Sequence, residues 1–327
     1  MKKFYNKALL YKELKSSIAF IGIVWIALFM EFSYGFMNTT KNLIWQKDSL
    51  VKNGEYSSLS MTDQINWSLS NLTNSSYIFF SILSIILISS WIIGKERQNK
   101  KSEMLSTMPF SILEIVSSKW IIVISSILVG MVINLSLVLL NCYNSSEIYI
   151  YYPKIFNFIY FWILSKTLLY IFIATFIMFV SSLCGRLFTG GILGGIFLLV
   201  PFYILGIVPA FLRCFETING TTIISKSFIS NLEKTIYNIS NLGIDYDSFN
   251  FIAKFTIIIY LSIIFIIVFM ILLILIYKNN KIEKIGEISM FKFFEHILKI
   301  GVSICFALLI PVLLVESMVN YNDPNHI

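Results

Sequence analysis

The chemistry open to this chain is bounded by its few bases and nucleophiles. It carries two histidines, His296 and His326, and four cysteines, Cys142, Cys184, Cys214 and Cys305, with no CxxC spacing and no histidine at ligand spacing. Neither a zinc site nor a disulfide framework is indicated, so no metal is expected. Most metallohydrolases and His-dependent triads are excluded as well, because each needs histidine at defined places. Cys142 and Cys214 read as unpaired apolar thiols, with a disulfide between them as the alternative. No G-x-x-x-x-G-K-[ST] motif occurs, and the run from Gly185 to Gly191 lacks the closing lysine and hydroxyl that hold phosphate and Mg²⁺. The chain is therefore expected not to be an enzyme and to hold no cofactor of its own. Two charged residues lie within the apolar runs of the first six blocks, Glu31 and Lys166. Charges inside a membrane are costly and usually face a protein interior or a watery cavity, so each marks a candidate site. Lys166 is too deep to snorkel and is expected to face the bundle interior, with Glu31 as one candidate partner. The alternative for Glu31 is partial exposure at the outer interface.

The elements that must position these residues follow from composition. Of 327 residues, 57% are hydrophobic and 13% charged, against about 45–50% and about 25% in soluble domains. The apolar residues come in blocks of about twenty, the length that crosses a hydrocarbon core. Such blocks lie at 16–36, 76–93, 120–140, 155–183, 189–212, 255–277 and 300–319. The fold class expected is an all-α polytopic integral membrane protein with six core spans, a seventh C-terminal span interrupted by Pro311 and Glu316, and an N-terminal interfacial helix. The division is 1–15 for that helix, 16–277 for the six-span domain, and 278–327 for a connecting segment and the seventh span. In the first segment Phe4, Ala8, Tyr11, Leu14 and Ile18 share one helical stripe among five lysines; a short basic topogenic tail is the simpler alternative. The long apolar block and the absence of an A-x-A site read as an uncleaved anchor.

Sidedness follows from where Lys and Arg fall. With the N-terminus inside, sixteen of the 25 basic residues lie on the inner side, eight on the outer side and Lys166 within a span. The formal net charge of +7 is then topological, and nucleic acid is not expected as a partner. The expected location is a bacterial cell membrane, with the N-terminus cytoplasmic and the C-terminus extracellular.

The densest inner segment runs from Gly94 to Lys119. It mixes charges of both signs with Met104, Leu105 and Met108, and Pro109 suits the first turn of an element leading into the third span. Its residues Glu96, Arg97, Glu103, Met104, Leu105, Pro109, Glu114, Ile115 and Lys119 resemble the loop of ABC-2 type exporter permeases, with Lys101 and Ser102 standing where that family usually has Gly-Thr. The resemblance extends over about the first 277 residues, and the segment after the sixth block looks like that of a larger clostridial-type branch. It implies that this loop couples the chain to a separate cytoplasmic ABC ATPase, which binds the ATP and Mg. It also implies a second permease subunit, in a homo- or heterodimer within membrane lipid. The implied function is outward movement of an amphipathic substrate, such as a peptide antibiotic, lipid or drug, and hence a link to antibiotic resistance. The competing readings are an intramembrane protease or lipid-phosphate transferase, and a non-transporting sensor or immunity protein.

One helix-packing motif completes the sequence. The fifth block opens with Gly190, Gly191, Gly194 and Gly195 in small-xxx-small pairs that allow close helix approach, before Pro201 and Pro209 bend the chain. Packing within the subunit is the first reading of these glycines, a dimer or gating surface the second.

Overall fold

The protein is described here by a computed structural model covering residues 6–53, 64–65, 67–69, 72, 77–98, 110–146, 155–200 and 249–278, together with 296, 300 and 303. Among these residues all regular structure is helical. The chain divides into two compact units, Met1–Gly194 with Ile244–Ile288, and Gly195–Gly243 with Ser289–Ile327. Of the second unit only residues 195–200, 296, 300 and 303 are described.

The first helix, α1, spans Lys7–Phe29 and continues through a π-helical turn, Met30–Tyr34, into α2, Gly35–Asn53. Asn6 caps its start by accepting the Ala8 backbone N–H at 2.9 Å, which satisfies one of the donors a helix N-terminus leaves open. No proline follows before Asn53, so nothing ends the helix near residue 15. The separate interfacial helix expected at 1–15 is therefore, from Lys7 onward, the first part of a single 46-residue helix, Lys7–Lys52. The same continuity carries helix well past residue 36, where the first span was expected to stop.

Helix α3 spans Tyr77–Gln98 and α4 spans Ile112–Asn144. The latter starts two turns before the expected 120 because Ser111 and Glu114 form a capping box. The Glu114 N–H donates to Ser111 Oγ at 3.2 Å and the Ser111 N–H donates to Glu114 Oε2 at 2.9 Å, so two open donors are satisfied reciprocally. Helix α5, Ile155–Leu183, coincides with the fourth apolar block. A short apolar helix α6 covers Thr189–Val200, and α7 covers Phe249–Lys278.

Five helical stretches among the described residues are long and apolar enough to cross a membrane: Lys7–Lys52, Tyr77–Glu96, Ile112–Asn144, Ile155–Leu183 and Ile259–Lys278. The fifth expected span is described only as far as Val200, and the seventh falls outside the described residues apart from Ile300 and Ser303. Within the first unit α1 packs on α3 and α4, α5 packs on the same two helices from its own side, and α7 lies against α5 and α4. The α5–α7 seam is a phenylalanine ladder in which Phe269 meets Phe176 at 5.1 Å and Phe179 at 5.3 Å between ring centroids. Such pairs add about 0.5–1.5 kcal/mol each beyond area burial. Elsewhere α7 turns Ile264, Ile267, Ile271 and Leu275 outward, as α4 does Val132, Ile133 and Leu140. Apolar faces of this extent call for lipid as their solvent.

Candidate functional site

Two buried polar clusters stand out in the first unit, one at an end of the bundle and one within it. The end cluster is built on consecutive residues of α3. Lys95 and Glu96 are about 100° apart around a helix axis, so one faces α1 and the other α4. The Lys95 ammonium pairs with Glu13 of α1 and donates to Ser16 Oγ. Glu96 pairs with Lys119 of α4, whose ammonium also lies 3.4 Å from the Tyr277 hydroxyl and 5.5 Å from the centre of that ring on α7. Glu13 and Lys119 are each 1% exposed, a degree of burial that charged side chains reach almost only when paired. The order Glu13, Lys95, Glu96, Lys119 alternates in sign and sums to zero. Neutrality of this kind is what makes four charges tolerable in one buried place.

Close packing surrounds this cluster. A Cβ placed on Gly94 would lie 2.6 Å from the Leu187 carbonyl oxygen, so only glycine lets α3 approach the turn after α5. Gly190 is equally enclosed, its Cβ position 2.4 Å from Ser181 Cα. Gly191 faces Ser90 and Gly194 faces Ile177. These three glycines thus lie against residues of α3 and α5. Gly195 belongs to the second unit.

The inner cluster forms at the π-helical turn. A π turn adds a residue to the winding and changes which side chains face inward; here three consecutive residues, Glu31, Phe32 and Ser33, are all buried. The Tyr170 hydroxyl of α5 donates to Glu31 Oε2. Ser81 of α3 is within hydrogen-bonding reach of both groups, and its hydroxyl also reaches the Ala27 carbonyl at 3.3 Å. Lys166, half-buried one turn before Tyr170, is close enough for its charge to act on Glu31. Ser33 donates to Asn134 Oδ1 of α4 at 2.5 Å, and Asn134 Nδ2 donates to the Gly130 carbonyl at 2.8 Å. Phe32 contacts Trp162 and Tyr170, with centroids 4.8 and 6.4 Å away. Trp162, Lys166 and Tyr170 share one face of α5, since residues four apart lie above one another. Glu31 Oε1 and Trp162 Nε1 are buried with no hydrogen-bond partner among the described residues.

The structure distributes the sequence-derived candidates unevenly. Glu96, expected in the ATPase-coupling loop, sits on α3, 7% exposed and paired with Lys119. Glu114 closes the α4 capping box. Lys119, taken as a loop residue, is inside α4. In each case the helices run further than the apolar blocks, because caps and ion pairs let charged residues extend them. Arg97 is helical, while Glu103, Met104, Leu105 and Pro109 lie outside the described residues. Cys142 is buried and in no disulfide among the described residues, and Cys214 lies outside them. Sequence reasoning missed Glu13, Lys95, Tyr170 and Tyr277. Tyr170 had one readable signal, its spacing of four from Lys166. Among the described residues no three metal-ligating side chains converge.

No family model, curated protein or solved structure matches the chain.

Proposed function

We propose that this chain is the membrane permease subunit of an ATP-binding-cassette exporter of the ABC-2 type, moving an amphipathic substrate outward under the drive of a separate ATPase. The observation that carries this reading is the end cluster. It ties both flanks of the segment between α3 and α4 to α1 and α7, through Glu96 with Lys119 and Lys95 with Glu13. Helices α3 and α4 are thus joined to α1 and α7 on either side of the segment 99–109. Force applied to it passes into four helices at once, as a permease driven from outside its own chain requires. The sequence 99–108 holds charges of both signs and methionines, residue types that suit a transient interface. The resemblance in Glu96, Arg97, Glu103, Met104, Leu105, Pro109 and Glu114 points the same way. In this reading the clustered end is cytoplasmic, the membrane is a bacterial plasma membrane, two permease subunits enclose the pathway, and ATP with Mg is held by the partner.

The test is purification of the tagged full chain from its native membrane in mild detergent. A nucleotide-hydrolysing subunit should accompany it in stoichiometric amount, and Glu103→Lys with Pro109→Ala should release that subunit while the permease stays folded. Repeated recovery without an ATPase would favour a non-transporting sensor.

A further inference from the structure

The inner cluster has a feature that packing does not require. Glu31 is 1% exposed and Trp162 is 2% exposed, yet Glu31 Oε1 and Trp162 Nε1 lack hydrogen-bond partners among the described residues. Buried polar atoms are nearly always satisfied, because leaving one unsatisfied costs about 1–3 kcal/mol. The other carboxylate oxygen, Oε2, is engaged by the Tyr170 hydroxyl. Glu31 therefore presents one anchored oxygen and one open oxygen, from a π-helical turn, a local form frequent at functional sites.

We propose that Glu31 is a proton-binding site in the interior of the membrane domain, with Oε1 as the atom that takes the proton, Tyr170 anchoring Oε2, and Lys166 as the opposing charge that protonation releases. The step needs no co-reactant. A hydronium ion gives its proton to the carboxylate, leaving water and a neutral carboxyl group, and the reverse step returns the proton to water. Among the described residues the groups facing Glu31 come from three helices. Helix α5 contributes Lys166 and Tyr170, α3 contributes Ser81, and α4 contributes Asn134 through Ser33. Tyr34, on the same turn, is 42% exposed and directed outward.

Proton binding has a structural consequence here. With Glu31 charged, its attraction to Lys166 holds the π turn against α5. With Glu31 neutral, that attraction disappears and the cation is left to other partners. The contact between the π turn and α5 then becomes the element that protonation biases, in the way a bound ligand biases two packings of one interface. This inference does not rest on the exporter reading, since it concerns groups within a single chain.

The experiment is infrared difference spectroscopy of the purified full chain in lipid nanodiscs as pH is lowered. A protonated-carboxyl C=O band should appear in the wild type and be lost in Glu31→Gln. It should move in frequency in Tyr170→Phe, which removes one hydrogen bond, and shift its pH midpoint in Lys166→Met. Glu31→Asp keeps a carboxyl group, so a band displaced but present in that variant keeps the assignment decidable if Glu31→Gln fails to fold. Absence of any titrating band in the wild type, or a band unchanged in both Glu31 variants, would overturn the proposal. Neither result bears on whether an ATPase partner exists.

Discussion

At the scale of single residues, the account turns on four charges that alternate along Glu13, Lys95, Glu96 and Lys119. Removing one member of a buried pair strands the other, which costs about 3–5 kcal/mol, whereas removing both can be nearly neutral. Glu96→Gln and Lys119→Met should therefore each lower the thermal midpoint of the detergent-solubilised protein, and the double substitution should recover much of the loss. Strictly additive losses would mean that the two side chains do not form a unit. The sequence makes part of this visible and hides the rest for a physical reason. Glu31 and Lys166 stand out because a charge in an apolar run is costly. Glu13 does not, because it sits among lysines in a segment that reads as a basic tail. Lys119 is hidden by its position at the edge of an apolar block, where a loop residue and a buried helical residue look alike. Its burial is decided by Glu96, twenty-three positions away, and by Tyr277 further still, and no local pattern carries that information.

At the scale of elements, helix ends and close approaches decide the arrangement. The Ser111 cap should contribute about 1 kcal/mol. Ser111→Ala should accordingly raise amide hydrogen exchange in the first turn of α4 and leave the middle of that helix unchanged. Gly94→Leu is expected to do more, because its Cβ alone would overlap the Leu187 backbone; folded yield after solubilisation should fall sharply, while Gly22→Ala, at a position with open space, should be tolerated. The start of α4 was readable, since Ser111 and Glu114 have capping-box spacing, but hydropathy alone sets the boundary at residue 120. The π turn at Met30–Tyr34 was not readable. No proline or glycine pair marks it, and it exists because α3, α4 and α5 each engage one of its inward residues or their neighbours.

At the scale of the whole molecule, the five long apolar helices among the described residues define a multi-pass membrane protein, and apolar content alone was enough to anticipate that class. Orientation rests on the distribution of Lys and Arg. A cysteine replacing Lys101, in a background lacking the four native cysteines, should react with an impermeant maleimide only after the cells are opened. Labelling of intact cells would reverse the topology. The central claim is that the segment between α3 and α4 receives an ATPase, and a photo-crosslinking amino acid at Met104 or Leu105 of the full chain in its native membrane tests it most directly. The account predicts an adduct containing a nucleotide-binding subunit, formed at both positions and lost when Glu103 is reversed in charge. Adducts to lipid or to the chain itself alone, at both positions, would contradict it.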